Sequence, residues 1–365
     1  MKKIYIYAYT NMNLGDDIFI KTLCNRYSNT EFYIQCSYKL SKAFRQIDNL
    51  KVIIKVPYVD RILKKIGSNL NINCLIEKHC RKKTDGVVRI GGSIFMEPIE
   101  RKTRFDALKA KYIEHDLPVF VIGANFGPYH SEEFLYFYNT IFRKLRDVCF
   151  RDQYSYNLFS NYPNIRVAPD VLFSFPAQTN INAAKRSVLI SVIDLSSRIG
   201  LSQYKEAYQT KIVELCLEFS KHHYRITLMS FCNLEGDNKA INEISDLISR
   251  SDRDVLMEKY SYCGNIEEAI MKIANSQCLV ASRLHAMILG WVMNKNVFPI
   301  IYSKKIENVI EDSGFMGLRT SIEEIDKIKT KQVFEFMDSS RPFNIEKLKT
   351  DAILQFLKLD NFLND

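Results

Sequence analysis

The chain alternates between two hydrophobic patterns. Short runs with hardly a polar residue recur along it, and between them apolar positions return every three or four residues. The first kind reads as strands buried on both faces, the second as amphipathic helices. In the first half the predicted strands are residues 3–9, Glu31–Cys36, Lys51–Val56, a run from Gly86 ending in Gly91-Gly92-Ser93, Pro118–Gly123 and Val148–Phe150. One helix is predicted to begin at Asp16, which could cap it, since Ile18, Ile20 and Leu23 return at helical intervals. Others are predicted within 57–83, over 101–115, over 131–145, and around Tyr154, Leu158 and Phe159. Gln178–Arg186 is polar enough to be a linker. A second alternation then runs through strand Val188–Ile193, helix 202–222, strand Arg225–Met229, helices 237–250 and 265–274, strands 277–281 and Val297–Ile301, and helix 304–313. The segment from about 320 is polar and holds one last amphipathic helix near 344–358.

This alternation in two halves predicts an α/β fold: two doubly wound, Rossmann-like domains facing across a cleft. At 365 residues the chain has the length for two such domains. The expected boundaries are 1–180, 181–325, and a helical tail, 326–365, with packing back on the N-terminal domain as one option.

Composition narrows the partners. Hydrophobic residues at 47% and charged residues at 25% exclude a disordered chain. The net charge of +9 favours anionic partners, whether phosphorylated metabolites, an anionic membrane surface or nucleic acid. No basic strand carries stacking aromatics, so nucleic acid ranks last and none is expected. Basic residues concentrate at 61–83 (Arg61, Lys64, Lys65, Lys78, His79, Arg81, Lys82, Lys83), interleaved with Ile62, Leu63, Ile66, Leu70, Leu75 and Ile76. That stretch reads first as a solvated helical face and second as a peripheral membrane contact. The nine cysteines lack any Cys-x-x-Cys pair, which suits free thiols in a reducing compartment. The apolar run after Met1-Lys2-Lys3 is too short for a signal peptide, and no run has the length of a membrane span. A soluble, cytoplasmic protein is expected, with attachment to the inner face of the membrane as the alternative. No metal-ligand spacing is visible.

Candidate chemistry gathers where predicted strands end. Ser282-Arg283-Leu284-His285-Ala286 follows an apolar strand and opens a helix. Ser282 is the expected N-cap, accepting from Leu284 or His285. Arg283 and His285 then lie in a first turn that favours anions, one as a planar donor fork, the other as a proton carrier near neutral pH. The pair reads equally well as a structural ion pair and a satisfied histidine. Asn13, Gly15, Asp16 and Asp17 follow the first strand, Gly92 and Ser93 the fourth, and Arg151 a strand end, while Pro169-Asp170 closes the first half. Each has a plainer reading: a tight turn, a helix-dipole carboxylate or a surface pair.

Taken in order, Asn13-Leu14-Gly15-Asp16-Asp17, Gly91-Gly92-Ser93, Val121-Ile122-Gly123-Ala124-Asn125-Phe126-Gly127-Pro128, Phe150-Arg151-Asp152, Ala168-Pro169-Asp170, Ser282–Ala286 and Tyr302-Ser303-Lys304-Lys305-Ile306 resemble the polysaccharide pyruvyl transferase family. The resemblance implies a GT-B-like fold. It also implies transfer of the enolpyruvyl-derived group of phosphoenolpyruvate onto two hydroxyls of one sugar, giving a cyclic ketal and phosphate. It makes His285 the general acid and Arg283 the donor-holding residue, with Arg151, Ser282 and Lys305 beside them. Asn13, Gly15, Asp16, Asp17, Gly92, Ser93 and Asp170 become acceptor-side or base candidates. Phosphoenolpyruvate is the implied co-substrate, with no other cofactor and no metal, and a saccharide or lipid-linked saccharide is the implied acceptor. The rival readings are a GT-B glycosyltransferase using a nucleotide sugar and a catalytically silent saccharide-binding relative.

Overall fold

The computed structural model describes residues 1–65, 71–97, 117–176, 184, 186–252, 254–339 and 341–364, without the side chains of Leu63 and Lys64. The expected helix over 101–115 and most of the expected linker lie outside the described residues. The chain divides into two compact units. The first comprises Met1–Thr10, Phe19–Val171 and Thr350–Asp365; the second comprises Asn11–Ile18 and Leu172–Lys349.

The first unit is built on a seven-stranded parallel sheet: β1 (Lys3–Tyr7), β2 (Glu31–Cys36), β3 (Leu50–Ile54), β4 (Gly86–Ile90), β5 (Val119–Ala124), β6 (Asp147–Phe150) and β7 (Ile165–Val167). Their spatial order is β3-β2-β1-β4-β5-β6-β7. β4, β5 and β6 are buried along their whole length, which is why they are mostly apolar rather than alternating, with Arg89 in β4 and Asp147 in β6 as buried exceptions. The helix Glu132–Phe142, capped by Ser131, brings Phe134, Tyr138 and Phe142 against the sheet. Phe159 meets Phe126 and Phe142 edge-on, each at 4.9 Å between ring centres.

The second unit repeats the plan with β8 (Ser187–Ser191), β9 (Arg225–Ser230), β10 (Met257–Ser261), β11 (Cys278–Ala281), β12 (Asn296–Ile301) and β13 (Thr320–Ser321), all parallel, in the order β10-β9-β8-β11-β12-β13. Both units are therefore doubly wound α/β domains. In each, the strand order reverses direction once, between β1 and β4 and between β8 and β11. Such a reversal opens a crevice at the carboxyl ends of the two strands, where this class of sheet takes its ligands.

The structure departs from the sequence reading at several points. The first helix runs Leu14–Arg26, so Asp16 is in its first turn and does not cap it; the Asn13 side chain instead accepts from the Gly15 amide at 3.1 Å. Three strands were not predicted, β7, β10 and β13, and all are sheet edges. The helix Thr330–Ser339 was missed, and the tail continues past the predicted helix into Leu357–Asn364.

That tail closes the first unit. Gln355 is buried; its carbonyl accepts from the Gly123 amide at 2.8 Å, and its NH2 reaches the carbonyls of Phe150 (3.1 Å), Ala168 (2.7 Å) and Pro169 (3.2 Å). One side-chain amide thus satisfies backbone groups on three successive chain segments at the strand ends. Asp360 receives Arg26 through two nitrogens at 3.0 and 2.7 Å, and the Tyr27 hydroxyl at 2.7 Å.

Candidate active site

The predicted site residues fall into two sets, one in each unit. The second unit holds the set at its switch point. β8 and β11 run side by side, and the Ser191 hydroxyl at the end of β8 accepts from the amides of Ser282 (3.0 Å) and Arg283 (3.2 Å) as the chain leaves β11. The Ser282 hydroxyl is 2.9 Å from the phenol oxygen of Tyr208. Ser282 is therefore held as an extension of the strand, and its expected role as N-cap is not realised. Arg283 occupies the cap position without a side-chain capping bond, and the helix runs Leu284–Val292. His285 is the second residue of that helix, half-buried.

His285 rests on Gly15. A Cβ built on Gly15 would lie 1.6 Å from the imidazole Nδ1, so no larger residue fits while the ring is there. The stretch carrying Gly15 is tied to the second sheet. The Leu14 amide donates to the Phe231 carbonyl at 3.0 Å, and Asn13 forms an isolated bridge with Cys232. Asp16 and Asp17 follow in the first turn, both buried. The Tyr262 hydroxyl donates to Asp17 at 2.7 Å. Burial pushes the Asp17 carboxyl up to about 8, against the pull of that bond and with help from Asp16.

The Arg283 guanidinium meets two carboxylates, Glu235 on one terminal nitrogen and Asp237 on the other. Burial disfavours its charge, but Asp237, Tyr302 and Glu235 outweigh burial and hold it well above its ordinary value. Asp237 is fully buried and also accepts from the amides of Phe231 (3.1 Å) and Cys232 (2.9 Å). Glu235 takes a second arginine, Arg198, at 2.9 Å. Burial would raise Glu235, yet Arg283, Arg198 and Lys305 prevail and its carboxyl sits at about 2. The donor fork expected to face a ligand is thus locked in place by protein carboxylates.

Tyr302 completes this set. Its ring lies 5.0 Å from the Arg198 guanidinium and is almost wholly buried, and no described residue hydrogen-bonds its hydroxyl. Burial alone would raise its pKa, but Lys305, Arg283 and Arg198 bring it below the ordinary value. Lys305 lies in the first turn of the helix Lys304–Ser313.

The first unit gathers the remaining candidates around Arg151. Its guanidinium donates to Asp170 at 2.9 Å and to the Asn125 side-chain oxygen at 2.6 Å, while the Ser93 hydroxyl donates to that same oxygen at 3.2 Å. A Cβ on Gly92 would stand 2.4 Å from an Arg151 nitrogen, so the glycine lets the guanidinium lie against the backbone. Gly92, Ser93, Arg151 and Asp170 therefore form one cluster. Asp170 is buried in an ion pair, with both side chains almost fully out of solvent.

Sequence reasoning missed Glu235, Asp237, Arg198, Tyr302, Tyr208 and Asn125 as members of these clusters. A signal existed for the first two. Glu235-Gly236-Asp237 follows a predicted strand, and Gly236 adopts φ 88°, the kind of glycine turn that marks a strand end. Among the described residues, no group of His, Cys, Asp and Glu is arranged to hold a metal ion. No helix among them is long and apolar enough to cross a membrane.

The family model described as polysaccharide pyruvyl transferase matches residues 13–304, from the Asn13–Gly15 turn through to the helix that carries Lys305. The chain belongs to this family. A relative, the amylovoran biosynthesis protein AmsJ of Erwinia amylovora, is 22% identical over 274 residues, covering 67% of this chain but only 63% of AmsJ. Among solved structures, Anabaena Alr3699/HepE in complex with UDP and glucose is similar with a TM-score of 0.57 at 11% identity, over 100% of both chains. MnaA of S. aureus, solved with UDP, gives 0.61 at 13% identity, over 100% of this chain and 97% of the other. UDP-GlcNAc 2-epimerase from Neisseria meningitidis gives 0.52 at 13% identity, over 98% and 100%. At these identities the likeness concerns the fold, which is GT-B-like. Membership of a transferase family and a doubly wound fold thus agree with the sequence reading.

Proposed function

We propose that this family member transfers the pyruvyl group of phosphoenolpyruvate onto two hydroxyls of one sugar in a polysaccharide or lipid-linked saccharide precursor, releasing phosphate and leaving a cyclic ketal. Family membership supports transferase chemistry, and the relative named for amylovoran biosynthesis supports a polysaccharide setting. The observation that carries the reading is His285 seated on Gly15 in the first turn of a helix at the switch point. The same strand-end region carries three cations, Arg198, Arg283 and Lys305, against two carboxylates, Glu235 and Asp237. That excess of positive charge suits a donor carrying both phosphate and carboxylate.

In the proposed reaction His285 delivers a proton to the methylene carbon of the donor, and positive charge develops at C2. The first sugar hydroxyl forms a C–O bond there and loses its proton. The C2–O bond to phosphate then breaks, and the second hydroxyl closes the ring. One proton ends on the new methyl group and the other leaves with phosphate. Arg283, held by Glu235 and Asp237, acts by fixing the shape and charge of the strand end that presents His285. Lys305 and the Tyr302 hydroxyl are the groups proposed to meet the donor's anionic part. No cofactor or metal enters this scheme.

The test is incubation with phosphoenolpyruvate and lipid-linked saccharides extracted from the host, following phosphate release and the ketal mass increment. The His285→Ala variant should lose on the order of 10²–10⁴-fold in turnover, and retention of more than about a tenth would rule out a general acid. If phosphoenolpyruvate gives neither product nor thermal stabilisation while a uridine nucleotide stabilises the protein, the glycosyltransferase reading replaces this one.

A further inference from the structure

A solvated amphipathic helix turns its apolar stripe inward. The helix Pro57–Lys65 of the first unit instead leaves apolar side chains outside: Tyr58 is 74% exposed and Ile62, one turn on, 60%, with Val56 and Val59 also exposed beside them. The neighbouring helix Ile72–Arg81 adds Leu75, 49% exposed. The two helices are pinned together by Asp60, which accepts from the Ile72 amide at 2.7 Å and from the Asn73 side chain at 2.5 Å. The Asn73 side-chain oxygen in turn accepts from the Val56 amide at 2.8 Å.

Charge on this layer has one sign at the surface. Asp60 and Glu77 are the only acids between residues 55 and 83, and both are spent inside the fold. Asp60 holds the helix pair, and Glu77 accepts from the Tyr7 hydroxyl at 2.6 Å and lies 3.9 Å from the buried Arg81. Lys55, Arg61, Lys65, Lys78, Lys82 and Lys83 are exposed. The Arg61 guanidinium lies over the Tyr58 ring at 5.7 Å, which leaves the aromatic and its charge at the same level.

We propose that this two-helix face docks on an anionic bilayer surface, with Tyr58, Val59, Ile62 and Leu75 entering the headgroup boundary and the lysines and Arg61 meeting lipid phosphates. Exposed aliphatic side chains ringed by cations match an interface that is apolar below and anionic above. A nucleic-acid backbone would engage the cations and leave Ile62 and Val59 in water. Tyrosine at the rim, with an apolar body and a polar tip, fits the same boundary.

The test uses the full chain and sucrose-loaded vesicles of phosphatidylcholine alone or mixed with phosphatidylglycerol, read by co-sedimentation. The wild type should pellet with the mixed vesicles and stay in solution with the neutral ones. Arg61→Glu with Lys65→Glu should lower the partition coefficient by about 25-fold or more, at about fivefold per basic residue. Tyr58→Ser with Ile62→Ser should lower it by about tenfold or more through lost apolar burial. Leu75→Ser, on the other helix, provides a second apolar variant should the first unfold. Failure of the wild type to pellet, equal pelleting with both vesicle types, or unchanged binding by the apolar variants would each overturn the proposal, as would a stronger preference for duplex DNA.

Discussion

Replacing Gly15 with alanine tests the central contact without reference to any substrate. The new Cβ would stand 1.6 Å from Nδ1 of His285, far inside van der Waals contact, so the imidazole or the helix must move. Forcing extra carbon into a packed site costs about 1–3 kcal/mol. Gly15 has ordinary helical geometry, so once the histidine is gone the same change should stabilise by about 0.5–1 kcal/mol through helix propensity. Gly15→Ala is therefore expected to destabilise the wild type and to stabilise His285→Ala. The coupling is about 1.5–4 kcal/mol, and the sign of the substitution reverses between backgrounds. The assay is urea unfolding of wild type, both single variants and the double variant, compared at a common m value. Equal effects in both backgrounds, within about 0.5 kcal/mol, would refute the claim that Gly15 exists to seat His285.

Gly92→Ala should behave similarly in the first unit. Arg151 is pinned by Asp170 and Asn125 and cannot retreat from a Cβ at 2.4 Å, so a loss of about 3–5 kcal/mol in unfolding free energy is expected, and a loss under about 1 kcal/mol would contradict the packing described. Asp17→Asn should change how stability depends on pH. With the folded carboxyl at about 8 and the unfolded one at 3.8, the folded state binds more protons between these values, so the wild type loses stability as pH rises through that window. The asparagine variant lacks this loss and keeps an acceptor for Tyr262, so it should gain a few kcal/mol on the wild type between pH 5 and pH 8. Thermal melts at the two pH values check this, and an unchanged gap between the proteins would refute it.

The sheet centres were legible because strands buried on both faces are largely apolar, as β5 and Val148–Phe150 of β6 are. The edges were not. β10 carries exposed Glu258 and Lys259, since an edge strand needs only one hydrogen-bonded neighbour and a partly covered face, and β7 and β13 are too short for any period to show. Candidate positions followed from the rule that ligands gather at strand ends, which singled out His285, Arg283, Gly15 and Arg151. It could not reveal their partners. Asp237 lies far from Arg283 in sequence, and only the β9–β8–β11 neighbourhood brings the two together. Ser282 failed as a cap for a related reason: Tyr208, from another segment, engages its hydroxyl, while Ser191 holds the Ser282 and Arg283 amides to the end of β8.

The place of Gln355 bears on the order in which the chain can be built. Translation delivers Gly123, Phe150 and Ala168 well before residue 355, with the main segment of the second unit synthesised in between. A nascent first unit emerging from the ribosome therefore has its strands but not the amide that joins their ends. Those backbone groups must stay hydrated, or find temporary partners, until the tail arrives. Completion of the first unit is thus a late event that waits for synthesis of the tail rather than of its sheet.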